Sequence, residues 1–281
     1  MALTLEGSAK TRSHTSPLSH SAPVRPASRI VAWLLKPQLV AFVAAFGLWE
    51  GAVWFFALPL WYLPSPSHVA ITVVRNLHLI LPSAGITALE TILGLIIGIG
   101  IGMALALGMG ASRWLAQALS PLAVVSQAIP FMALAPLMMI WFGFGMTSKV
   151  AMAAITIFFS VAAAFYEGLR RADENLVDLA RLYGATEWQI LFNIRVPAAY
   201  PHLCAGLKLA AAYAPLGAIA GEWVGSDGGL GIMMTYHNAR MQTDMVFAAM
   251  VVLIVFCLCT WAVMSLITRH MLRNFPDTMR I

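Results

Sequence analysis

Six apolar runs, at approximately 39–62, 86–110, 118–142, 149–166, 199–220 and 246–268, divide the chain. A helix needs ~20 apolar residues to cross a bilayer. None of the runs alternates apolar and polar positions as a membrane strand does. The pattern therefore predicts an all-α, polytopic membrane protein with six transmembrane helices over 39–281. Between the fourth and fifth runs lies a charged insert, about 168–197.

Inside the insert the periodicity changes to that of surface helices. Leu176, Leu179, Ala180 and Tyr183 recur at i, i+3, i+4 and i+7, one apolar stripe of a first short helix. Gly184 follows where a helix C-terminus favours a left-handed residue. Thr186 and Gln189 form the S/T-x-x-Q capping box of a second helix, with Trp188, Leu191 and Phe192 on its apolar face and Pro197 at its end. A helix pair carrying Tyr183 and Trp188 beside Asp178 and Glu187 suits a groove in a partner, or else lies flat on the membrane surface.

Composition removes the soluble classes. Hydrophobic residues make up 60% of the 281 and charged residues 10%, against roughly 25% charged in a soluble domain. The net charge of +5 does not indicate nucleic acid, because the basic residues flank the spans. With six spans and both termini inside, thirteen of the 17 Lys and Arg fall on cytoplasmic segments. Arg75, Lys149 and Arg240 fall outside, and Lys208 lies within the fifth span. Residues 1–38 are rich in Ser, Pro, Ala and His and predict a disordered cytoplasmic tail. Cys204, Cys257 and Cys259 all sit in apolar runs, which suits small hydrophobes better than a metal or disulfide framework.

Several positions within the spans stand out. Gly94, Gly98 and Gly102, at four-residue steps, predict close helix packing in lipid. Gln127, Pro130 and Pro136 in the third span mark either a break along a transport path or a bent packing helix. Glu50 lies midway along the first span, where an acid needs a polar partner. Glu222 and Trp223 form a candidate outer gate or substrate contact, although a Trp at that depth also serves as an interface anchor. Ser226 to Gly231 is glycine-rich, and without a lysine it predicts a turn in an outer loop rather than a phosphate cradle. His237, Asn238, Arg240 and Asp244 belong to the same outer segment.

The insert also carries a resemblance. Asp178-Leu179-Ala180, then Tyr183-Gly184-Ala185, closed by Ile194-Arg195-Val196-Pro197, resembles the "EAA" loop of bacterial ABC-importer permeases. The strings Ser126–Pro130, Ala133–Leu137, Ala164–Arg171, Gly221–Gly225 and Asn238–Asp244 extend the similarity to the nitrate/sulfonate/taurine branch, and within it to permeases of thiamine-precursor pyrimidines. One departure is Asp178-Leu179 where the family has Glu-Ala. The resemblance implies a bacterial inner-membrane permease that works as a homodimer. Its partners would be two ATP-binding cassette subunits, which use ATP and Mg, and a periplasmic solute-binding protein. Docking would fall to Asp178, Leu179, Ala180, Tyr183, Gly184, Ala185, Trp188 and Pro197, and the substrate path to Gln127, Pro130, Pro136, Glu222 and Trp223. No catalytic residue, metal or cofactor is implied in this chain.

Two other classes fit less well. An intramembrane enzyme would need a motif such as H-E-x-x-H or G-x-S-x-G, and the chain has neither. A proton- or sodium-coupled carrier could use Glu50 and Glu90, yet leaves the insert unexplained.

Overall fold

The structure, a computed structural model, describes residues 37–273, without the side chains of 37–39 and 122–128. All but the last two positions of the expected tail, 1–38, lie outside the described residues. The chain divides into two units, 1–48 and 49–281. The helices are α1 (Pro37–Phe55), α2 (Pro66–Arg75), α3 (Leu77–Ala111), α4 (Arg113–Ala128), α5 (Phe131–Phe142), α6 (Met146–Arg170), α7 (Glu174–Leu182), α8 (Glu187–Ile190), α9 (Val196–Val224), α10 (Leu230–Ala239) and α11 (Thr243–Met271). A π turn, Leu191–Arg195, joins α8 to α9.

Four helical stretches are long and apolar enough to cross a membrane: Leu77–Ala111, Met146–Arg170, Glu187–Val224 and Thr243–Met271. Two shorter apolar helices, Val40–Phe55 and Phe131–Phe142, account for the other two expected runs. The third run is not one helix. Its chain breaks at Ile129, which is extended, and Pro130, because a residue before proline is driven out of the helical region.

The core is built from α3, α6 and α9. Leu95 and Ala106 of α3 meet Ile157, Val161 and Phe165 of α6, which in turn meet Leu203, Leu207 and Ala210 of α9. Apolar side chains gain little by leaving lipid for protein, so close backbone approach supplies the packing. The glycine steps do this on α3. A Cβ on Gly98 would lie 2.9 Å from the Ala154 carbonyl, and one on Gly102 would lie 2.9 Å from Val161 Cβ. Gly100 and Gly108, off that face, have nothing within 4 Å.

A second cluster joins Ile80, Ile219, Leu230, Met233, Met234 and Met245. It depends on α10, a helix inside what the sequence suggests is an irregular outer loop. Glu50 finds the partner it needs at a helix start: Ser67 N–H donates to it at 3.0 Å and Ser67 Oγ at 2.7 Å. The acid thereby faces the positive end of α2, which Ser65 caps.

Candidate functional site

The insert folds as its residue types dictate. Asp173 caps α7, accepting from Asn175 N–H at 2.9 Å. At the other end Gly184 takes φ +79°, Gly184 N–H bonds the Arg181 carbonyl, and Ala185 N–H bonds the Ala180 carbonyl. These two bonds make a Schellman motif. Thr186 and Gln189 then close the expected capping box on α8. Arg181 ties the two helices together, bonding Asp178 at 3.3 Å and Glu187 at 3.0 Å. The bond to Glu187 is the main reason the guanidinium pKa rises above its ordinary value.

One face of this pair is anchored. Val177, Ile190 and Leu191 are buried, and Arg195 Nη1 donates to the Gly110 carbonyl at 3.3 Å. The other face is bare: Leu176, Leu179, Tyr183, Trp188 and Phe192 are exposed, Tyr183 to 85%, with the Trp188 and Phe192 rings stacked at 6.0 Å. Asp178 borders that face, and Ala180 and Ala185 are half-buried beneath it.

Pro197 departs from expectation. It does not end the second helix; helical geometry continues from Ile190 through Val196 into α9. The π turn permits this. Val196 N–H reaches back five residues to Leu191, so the register shifts, and Pro197 enters at the start of α9, where its missing N–H costs nothing.

At the opposite end of α3 and α9 sits a buried polar cluster that sequence reasoning largely missed. Glu222 is fully enclosed, accepting from Thr87 Oγ1 at 2.6 Å and from Gly231 N–H. Leu230 N–H donates to Thr87 Oγ1 at 2.9 Å, so the first turn of α10 rests on these two side chains. Glu90, also buried, lies close to Glu222, with its own Oε2 lacking a hydrogen-bond partner. Lys149 is buried beside them, donating to the carbonyls of Phe144 and Gly145. Lys149, assigned to the outer side by the sequence, is a buried residue of α6, which begins three residues earlier than the apolar run suggests. The one available signal was depth: Glu90 and Lys149 fall at or near the starts of the second and fourth apolar runs, at the same expected end.

Gly229, at φ +117°, and Gly231 pass so close to the Glu222 carboxyl that a Cβ on either would collide with it. The glycine-rich turn is therefore a wrapping for Glu222. Trp223, the next residue, is 41% exposed and points elsewhere. Pro130 and Pro136 lie on the exposed side of α5, whose inner face (Ala135, Met138) packs on Met152 and Ala220. The Gln127 side chain lies outside the described residues. At the end of α10 His237 is half-buried and Arg240 exposed, and Arg240 stacks 4.1 Å over the Tyr236 ring.

Residues 94–273 match the family described as the binding-protein-dependent transport system inner membrane component. The chain is 40% identical over 228 residues to a probable ABC transporter permease protein of Haemophilus influenzae, covering 81% of this chain and 93% of that one. It is 36% identical over 161 residues to a riboflavin transport system permease protein of Chloroflexus aurantiacus (57% and 60% covered). A formylaminopyrimidine transport permease protein of Halalkalibacterium halodurans is 32% identical over 211 residues (75% and 82%). Permeases named for aliphatic sulfonates and for taurine are further relatives. The fold resembles the MetNI methionine ABC transporter in its inward-facing form, with a TM-score of 0.61 at 19% identity over 70% of this chain and 97% of that one. Membership implies an ATPase and a binding protein as partners, and it replaces the ion-coupled reading of Glu50 and Glu90. With its long apolar helices and exposed insert, the chain belongs to the inner-membrane components of binding-protein-dependent transport systems: it is a multi-pass, non-catalytic permease subunit of an ABC importer.

Proposed function

We propose that two copies of this chain form the pore of an importer whose cargo is a small, flat, polar heterocycle resembling a thiamine pyrimidine precursor. The docking element is the insert. Its bare stripe of Leu176, Leu179, Tyr183, Trp188 and Phe192 carries the reading: so large an apolar face on a charged segment needs a cover. The cover is a groove in an ATP-binding cassette subunit, one per copy, which supplies the ATP and Mg chemistry. Asp178, Ala180, Gly184, Ala185 and the turn before Pro197 shape the same contact.

The chain crosses the membrane six times, with α4 and α5 together making the third crossing, and both termini lie on the ATPase side. The Lys and Arg bias supports this orientation. Exposed Arg240 and half-buried His237, at the opposite end, face the solute-binding protein.

The heterocycle assignment is supported by the relatives named for riboflavin and formylaminopyrimidine, both ring compounds. The substrate path runs past Gln127, Pro130 and Pro136 to Trp223, which offers a ring face for stacking; Glu222 supports the mouth from within. Relatives named for aliphatic sulfonates and taurine make an alkyl sulfonate, or nitrate, the rival. Anionic cargo fits less well: Lys149 is bonded to carbonyls, and Lys208 is the other lysine within a long span. Deleting the gene in cells without other routes should abolish growth on limiting pyrimidine precursor and spare sulfonate use. Loss of sulfonate use with precursor use retained would transfer the assignment to the rival.

A further inference from the structure

Where α3 and α6 end and α4 begins against the insert there is a cleft of about 650 Å³. Four arginines from separate elements line it: Arg113 of α4, Arg170 of α6, Arg181 of α7 and Arg195 of the π turn. Three carboxylates, Glu174, Asp178 and Glu187, line it too. Both Asp178 and Glu187 are committed to Arg181. Arg113 and Arg170 form no ion pair within 4.0 Å among the described residues, and Arg195 donates to the Gly110 carbonyl. Four guanidiniums against three carboxylates leave an excess of positive charge in the cleft. The first turn of α4, a 16-residue helix, opens at the same place and adds the positive end of its dipole.

We propose that this cleft binds an anionic phosphate group, supplied by the headgroup of an acidic phospholipid or by a free phosphate ester. Guanidinium forks match phosphate oxygens, and basic pockets between membrane helices suit lipid headgroups. The depth suits a headgroup: the cleft lies where α3 and α6, both long enough to cross the membrane, come to an end. Exposed Trp114, beside Arg113, provides an aromatic of the kind that settles at the membrane interface. A phosphate here would join the spans to the insert, steadying the element that meets the ATPase. The inference rests on the permease reading only in taking α3 and α6 as membrane-crossing.

The full-length chain in detergent, given phosphatidylglycerol or phosphatidylcholine and examined by native mass spectrometry, tests this. Phosphatidylglycerol should be retained preferentially. Arg113→Gln and Arg170→Gln should each weaken that retention about fivefold, with Arg170→Lys keeping most of it and Arg240→Gln unchanged. Stabilisation of the wild type, but not the variants, by millimolar inorganic phosphate without lipid preference would identify a free phosphate ester as the source. Equal retention of both lipids with no effect of phosphate, or variants that behave as wild type, would overturn the site. Uptake and ATPase recovery, measured separately, report on the permease reading itself, so the two can fail independently.

Discussion

Thr87 Oγ1 donates to Glu222 and accepts from Leu230 N–H, so a single hydroxyl joins α3, α9 and α10. Thr87→Val keeps the shape and removes both bonds. Each buried group left without a partner costs about 1–3 kcal/mol. The variant should therefore melt at a clearly lower temperature in detergent and admit protease at 225–231; an unchanged melt would remove Thr87 from this role. Gly184 shows the opposite situation. Nothing lies within 4 Å of a Cβ there, so bulk is no obstacle, but φ is +79°. An L-residue in that conformation costs about 1–2 kcal/mol. Gly184→Val should insert normally yet recover less ATPase on co-purification, while Gly184→Asn should be milder. Full recovery and normal uptake with valine would show that the turn does not govern docking. That Gly184 needed a left-handed backbone was legible from its place after an apolar stripe. Thr87 gave no such sign, because its importance comes from contacts across more than a hundred residues of chain.

Helix pairing follows the same division. The α3 face with Gly94, Gly98 and Gly102 was readable because four-residue spacing alone puts the three on one side. Which helix they meet is a tertiary fact, and α6 is the answer. Gly98→Leu should force α3 and α6 apart and lower stability by about 1–3 kcal/mol or more. Gly100→Leu, with open space beside it, should be nearly neutral. Comparable melting temperatures for the two would contradict the packing. Prolines proved harder to interpret than glycines. Pro130 breaks a helix, while Pro82, Pro201 and Pro215 lie inside continuous ones and Pro197 enters just after a π turn. A lost N–H is tolerated or not according to the neighbouring backbone, which spacing along the chain does not reveal.

For the molecule as a whole, six crossings with both termini on one side predict that reporter fusions at Gly184 should read cytoplasmic. Fusions at Gly145 and Asp227 should read periplasmic. A periplasmic signal at Gly184 would overturn the topology and the docking role together. The apolar runs, the charge bias, the insert and its caps were all determined by sequence alone, since each depends on neighbours within about one or two helical turns or on net transfer to lipid. Only the tertiary structure decided that Glu222 is sealed inside rather than open at a mouth, that Lys149 and Glu90 accompany it, and that α10 folds over them. Local sequence cannot distinguish these outcomes. A carboxylate near the end of an apolar run is compatible with water or with protein, and it is the donors brought from distant segments that settle which.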